Sequence, residues 1–224
     1  MVRTDWLHNP DVCFRYVGVD AKLVRLKARL EALREQLEAV KMPGDHFPGD
    51  QGEFIKAGGE LTVGRWGLQP SWAKDRNFGK RNAYNARAET VAEKPTFRNA
   101  FRHRRCLVPA AAFYERSEGH WFRMSPREDE AFLIAGLWEP GDEEPTYTMV
   151  TTEPNHAIAD VQDRMPVLLD GGQAEAWLSP EAPFEELRSL MVPCPPSWVT
   201  VEDAGPIQRR PSKAETSLFD LDTP

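Results

Sequence analysis

RCLVPAAAFYE, residues 105–115, is an apolar run that opens on Arg105 and ends on the carboxylate of Glu115. It reads as a strand, and the segments around it read alike: ELTVGRWGL (60–68), HWFRM (120–124), AFLIAGLWE (131–139) and TYTMVTTE (146–153), separated by charged or Gly/Pro-containing turns. Helical stretches are expected at 93–102, 156–161 and 172–178. Strands dominate and do not alternate regularly with helices, so the expected class is α+β, with a mainly antiparallel, barrel-like core and surrounding helices.

Ahead of these strands, DAKLVRLKARLEALREQLEAVK (20–41) places apolar residues at 23, 26, 30, 33, 37 and 40 with charges between them, the spacing of an amphipathic helix packed on the domain's own core. MPGDHFPGDQG ends it in a loop. Residues 205–224 are polar and Pro-containing and are expected to be a disordered tail. The expected organisation is an extension over 1–12, one domain over 13–204 carrying the inserted helix, and that tail. No internal repeat is present.

The 224 residues, 41% hydrophobic and 28% charged, have the composition of a soluble globular protein. The longest apolar run, AFLIAGLW, is far too short to cross a membrane, and MVRTDWLHNPDV has no apolar leader region, so a cytoplasmic, nucleoid-associated location is expected. Cys13, Cys106 and Cys194 are odd in number, widely separated and form no C-x-x-C pair, which argues for reduced thiols and against a disulfide framework or zinc site; no bound metal is expected. The net charge is −7, yet between Lys74 and Arg105 ten basic residues face three acidic ones, leaving −14 for the rest of the chain. Such asymmetry is the footprint of a polyanion site, or else a solvated charged face.

Three further patterns carry chemistry. NARAET (85–90) sets an amide, a guanidinium and a carboxylate close together; FYE (113–115) ends a strand in a carboxylate suited by burial to proton transfer; DRMPVLL (163–169) puts an acid–base pair before a proline. Each also has a structural reading, respectively a turn residue, a strand-end salt bridge and an ion pair.

Taken in order and spacing, WGLQPSWAKD, NARAET, FR.AFR.RRCLVPAAAFYE, AGLWE, TT and DRMPVLL closely resemble the SRAP (SOS response-associated peptidase) family of abasic-site processing proteins. The resemblance implies a single-stranded DNA groove leading to a cysteine that reacts with the ring-opened aldehyde of an abasic site, without a cofactor. By that resemblance Cys13 matches the nucleophile, Asn85 the amide that orients it, Glu115 the proton-transfer carboxylate and Gln162 the position of a family histidine. Arg15, Arg87, Arg98, Arg102, Arg104 and Trp72 are the expected DNA contacts. Gln162 hydrogen-bonds but does not titrate, Phe14 replaces a glycine, and Arg116 replaces the tryptophan that follows Phe-Tyr-Glu.

An N-terminal cysteine offers an α-amine titrating near about 8 and a thiol near about 8.5, so one residue supplies both nucleophiles of a thiazolidine. Val12 precedes Cys13, and a GUG start codon there would give Met-Cys-Phe-Arg-Tyr, with Cys13 exposed once the methionine is removed. The expected function is covalent capture of abasic sites in single-stranded DNA by a monomer. The alternatives are a silent DNA-binding module of the same fold and a thiol peptidase acting on its own first twelve residues. ETSLFDL (215–221) resembles a sliding-clamp docking motif, with Ser217, Leu218 and Phe219 as its contacts, beside the reading of an incidental apolar pair in a tail.

Overall fold

The run that opened the sequence reading is the hub of the molecule. In the computed structural model, which describes residues 14–19, 40–127 and 131–207, it forms a long strand, β6 (Arg105–Ser117), counting strands in chain order. Before it come β1 (Arg15–Gly18), β2 (Gly44–His46), β3 (Gln51–Lys56), β4 (Leu61–Trp66), α1 (Phe78–Asn82), β5 (Asn85–Arg87) and α2 (Arg98–His103). After it come β7 (His120–Pro126), β8 (Phe132–Glu139), β9 (Thr146–Thr152), β10 (Met165–Pro166), β11 (Leu168–Leu169), α3 (Gly171–Leu178), α4 (Phe184–Leu190) and β12 (Val199–Pro206).

Five strands close a barrel in the order β8, β9, β4, β3, β6 and back to β8. Every neighbouring pair is antiparallel except β4 with β9. The long strand changes partners along its length. Its first half pairs β8 and β3, with Arg105 opposite Leu137 and Leu107 opposite Ile55. Its second half leaves the barrel to pair β1 and β7, with Tyr114 between Arg15 and Arg123.

Alternation along a strand explains why β6 and β8 read as unbroken apolar runs. Cys106, Val108 and Ile134 join Phe54, Trp66 and Tyr147 in one cluster, while Leu107, Leu133 and Ala135 join Phe101 of α2 and Trp177 of α3 in another. Both faces are buried, so neither needs polar residues. The two clusters are held to each other by Trp177, whose indole N–H donates to the Cys106 carbonyl at 3.0 Å. The helix that carries Trp177 starts on a capping box: the Asp170 carboxylate accepts from the Gln173 amide at 2.9 Å, and the Gln173 side chain accepts from the Asp170 amide at 3.0 Å. Inside the barrel the Tyr16 and Tyr147 hydroxyls meet at 2.6 Å over Gly52, where a Cβ would stand 2.1 Å and 2.3 Å from the two oxygens.

Several sequence expectations change. Residues 156–161 are hydrogen-bonded turns, not a helix, because Asn155 competes for the backbone: its side chain accepts from the Ala157 amide and its carbonyl from Ile158 and Ala159. The helix expected at 93–102 begins only at Arg98, since Pro95 disfavours the helical region for Lys94 before it. The last strand runs on through Gly205 and Pro206, two residues past the expected start of the tail. Of the segment 20–41 only Val40 and Lys41 are described, and neither is helical; residues 20–39 lie outside the described residues. Val19 and Val40, which bracket them, are buried in one small cluster with Ala131. The buried Glu53 carboxylate accepts from the Lys41 and Met42 amides at 2.8 Å and 2.9 Å. Residues 1–12 and the docking-like residues Ser217, Leu218 and Phe219 also lie outside the described residues. Among the described residues no helix is long and apolar enough to cross a membrane.

Candidate functional site

The site is assembled where β6 has left the barrel. Glu115 is 2% exposed near the end of β6, and Asn85 opens the short β5, which lies parallel to β9 with Asn85 opposite Met149. Asn85 and Arg87 are two apart on that strand and therefore share a face, Arg87 reaching solvent. Phe14 joins the two elements. Its ring packs edge-on against Tyr84, the neighbour of Asn85, at 6.0 Å, and the guanidinium of Arg116, the neighbour of Glu115, lies 4.9 Å from it. Cys13 is outside the described residues, one peptide bond before Phe14.

The other two cysteines are unfit as nucleophiles. Burial pushes the Cys106 thiol well up, and it pushes Cys194 up to about 11 against the opposing hydrogen bond from Asn155. Both are neutral thiols near pH 7.

The motifs NARAET and DRMPVLL meet in space. Arg164 grips Glu89 through two hydrogen bonds, at 2.6 Å and 2.9 Å, and donates to the Thr151 carbonyl at 2.7 Å. Burial works to raise the Glu89 carboxyl, but the hydrogen bonds and charge of Arg164 bring it below its ordinary value. Gln162 follows the 156–161 turns, and its side-chain oxygen accepts from the Asp163 amide at 2.9 Å. Ile158 and Val161 of the same turns pack into the cluster that holds Tyr84.

The expected DNA contacts divide. Arg15 is held by Asp45 through two hydrogen bonds, at 2.9 Å and 2.7 Å, and lies 4.0 Å from the Tyr114 ring. Arg104 pairs with Glu139 at 2.6 Å. Arg98 and Arg102 are exposed on α2, at the opposite end of β6 from Glu115, whereas Arg87 shares β5 with Asn85. Trp72 is 54% exposed, its ring edge-on to Phe78 at 5.1 Å. Elsewhere in the basic segment Arg76 pairs with Glu143, and Arg81 with Asp75 at 2.7 Å.

Sequence reasoning missed the rings around the site. Arg116 lies 4.5 Å from the ring of Trp121, its partner across the β6–β7 hairpin, so that Phe14, Arg116, Trp121, Tyr114 and Arg15 interleave rings and cations. The signal was present as arginines next to aromatics at 14–16 and 114–116. Among the described residues no group of three or more His, Cys, Asp or Glu side chains is placed to hold a metal.

A closed five-stranded barrel with further strands and helices packed on it defines an α+β protein. Solved structures share the fold: a protein from Bordetella bronchiseptica matches with a TM-score of 0.70 and 27% identity over 86% of this chain and 100% of that one. A protein from Bacteroides thetaiotaomicron also reaches 0.70, at 24% identity, over 85% and 91%. The family model for SRAP, SOS response associated peptidase, matches residues 12–204, and the chain belongs to that family. Similar proteins include the abasic site processing protein YoaM of Bacillus subtilis, 35% identical over 70% of this chain and 74% of its own length. The abasic site processing protein YoqW of the same organism is 39% identical over 58% of this chain, and HMCES of Gallus gallus 32% over 58%. These two alignments span 62% of YoqW and 48% of HMCES.

Proposed function

We propose that this chain binds single-stranded DNA and joins covalently to abasic sites through Cys13. The observation that carries the reading is the position of Phe14, the residue that follows Cys13 in the sequence: its ring packs against Tyr84 and Arg116, the chain neighbours of Asn85 and Glu115. Cys106 and Cys194, buried and protonated, leave Cys13 as the reactive thiol of the chain. The names of the similar proteins support abasic DNA as the substrate, and the family match takes in Cys13.

In this reading the Cys13 α-amine adds to the sugar aldehyde. Water then leaves the carbinolamine to give a Schiff base, with Glu115 donating the proton that the departing oxygen needs. The thiolate closes a five-membered ring on the same carbon, and the nitrogen regains a proton. Asn85 orients the amine and the sugar, while Arg87 contacts a phosphate beside them. Gln162 contributes a hydrogen bond but shuttles no proton.

The test compares a strand carrying an abasic site with an intact strand of the same sequence, on denaturing gels, using protein with Cys13 at its N-terminus. A heat-stable shift is expected only with the abasic strand, and none with Cys13→Ser. Reversible binding to both strands without a stable adduct would replace this reading by a silent DNA-binding module. Cleavage of residues 1–12 from the longer chain, with no adduct to either strand, would favour the peptidase.

A further inference from the structure

We propose that Arg116 is the cation that holds a DNA phosphate at this site, the role that the sequence reading gave to Arg15; the inference rests on the reading that the site takes single-stranded DNA. The two arginines lie on neighbouring strands and differ in what meets their hydrogen-bonding edges. The fork of Arg15 is filled by Asp45. Arg116 forms no ion pair and no side-chain hydrogen bond among the described residues, and its buried Nε is without a hydrogen-bond partner there. A half-buried guanidinium with open donors is costly, since water is partly removed and nothing replaces it. Such a group marks a place where a ligand completes the structure.

The neighbours of Arg116 indicate the ligand. Phe14 and Trp121 lie 4.9 Å and 4.5 Å from its guanidinium carbon. Aromatic contacts fix the plane of a guanidinium and leave its N–H groups for a planar or tetrahedral anion, the geometry in which arginine binds phosphate through two parallel hydrogen bonds. The β6–β7 turn fixes the register that puts Arg116 opposite Trp121. It has two central residues, Glu118 and Gly119, both with positive φ, at 49° and 82°, as a type I′ hairpin requires. Burial lowers the pKa of the guanidinium, against the opposing pull of the nearby Tyr84 and Glu115. Rings beside a backbone-binding cation are the arrangement by which proteins grip single strands without reading their sequence.

The consequence is that Arg116 positions the strand next to the reacting sugar while taking no part in bond making. Binding to an intact oligonucleotide is measured over a range of salt, so that the covalent step does not enter. Arg116→Gln is expected to reduce the slope of log affinity against log salt by about 0.7, the share of one phosphate on a single strand. Arg116→Lys should keep most of the slope, and Arg15→Gln all of it. On abasic strands Arg116→Gln should raise the concentration needed for half-maximal adduct formation and leave the rate at saturation unchanged. An unchanged slope in a folded Arg116→Gln, judged by its melting curve, or a slope lost in Arg15→Gln instead, overturns the assignment. If the parent protein shows the expected slope but forms no adduct, the Cys13 reading fails while Arg116 stands. A parent protein without affinity for intact strands sinks both.

Discussion

Arg105 and Arg116 stand at the two ends of the same strand, and their surroundings differ completely. Arg105 is 5% exposed, and every group its guanidinium meets is a backbone carbonyl: Trp177 at 2.7 Å, Phe101 at 2.8 Å, Arg102 at 3.2 Å and Ser179 at 2.5 Å. It ties the end of α2 to the end of α3. Arg116 meets two aromatic rings and no acceptor among the described residues. Burial lowers the pKa of both. One arginine is consumed by the fold and the other is left for a ligand, so a basic residue in a motif signals binding only when the fold has not already filled its hydrogen bonds.

The contrast is broken most severely at Arg105. Replacing it with methionine keeps the bulk but orphans buried carbonyls at the ends of two helices, a loss of about 3–5 kcal/mol of the kind seen when one side of a buried charged network is removed. Thermal denaturation of Arg105→Met should show a fall of at least about 6 °C, at about 2–4 °C per kcal/mol for a chain of this size. The folded fraction should keep the parent's salt dependence on DNA. A stable Arg105→Met would mean that the carbonyls find other donors.

Arg164 sharpens the comparison as a third arginine: its Nε, like that of Arg116, is buried without a partner among the described residues, but its two terminal nitrogens are taken by the Glu89 carboxylate and the Thr151 carbonyl. The folded state lowers the pKa of Glu89, so the pair stabilises the protein above the ordinary glutamate value of about 4.3, and that contribution disappears as pH falls through the lower folded-state value. Glu89 is half exposed and solvent screens it, so Glu89→Gln should cost about 1 kcal/mol at pH 7. Urea denaturation at pH 7 and pH 3 checks the sign: the gap between parent and Glu89→Gln should close at the lower pH. A gap that persists would place the effect in packing.

The smallest effect lies at the hairpin beyond Arg116. Glu118 is the one non-glycine residue with positive φ among the described residues. Glu118→Gly should relieve its strain, offset in part by the greater freedom of glycine when unfolded, for a net gain of about 0.5 kcal/mol or a melting rise of about 1–2 °C. Salt dependence should not change, because the register that faces Arg116 to Trp121 is kept.

The barrel strands that are buried on both faces stood out as apolar runs: β6, β8 and β9 lie where RCLVPAAAFYE, AFLIAGLWE and TYTMVTTE placed them, whereas β3 was not read as a strand and begins inside the stretch read as a loop. The final strand was missed, since VTVEDAGP is charged and exposed and pairs only with β7 at the margin of the sheet. Residues 156–161 misled because Asn155 draws the backbone into turns that share helical spacing without its continuity. Of the candidate site residues, Glu115 was singled out as a carboxylate closing an apolar strand and Asn85 by its place in NARAET. The engagement of Arg15 could not, because its partner Asp45 is 30 residues away across a segment with no strand signal. Arg116 stood out in the sequence only as a departure from the family's tryptophan; its meaning depends on Phe14 and Trp121, which other strands bring to it.

The closure at Val19 and Val40 bears on how freely the stretch between them can vary in length. Both residues sit in one buried cluster, and Glu53 fastens the chain just after it returns, so whatever runs between them begins and ends at one fixed place. The entropy of closing a loop grows only with the logarithm of its length, about 0.6 kcal/mol for each doubling. A change in the length of the intervening stretch therefore costs little in closure entropy as long as the junction that fixes its two ends is kept.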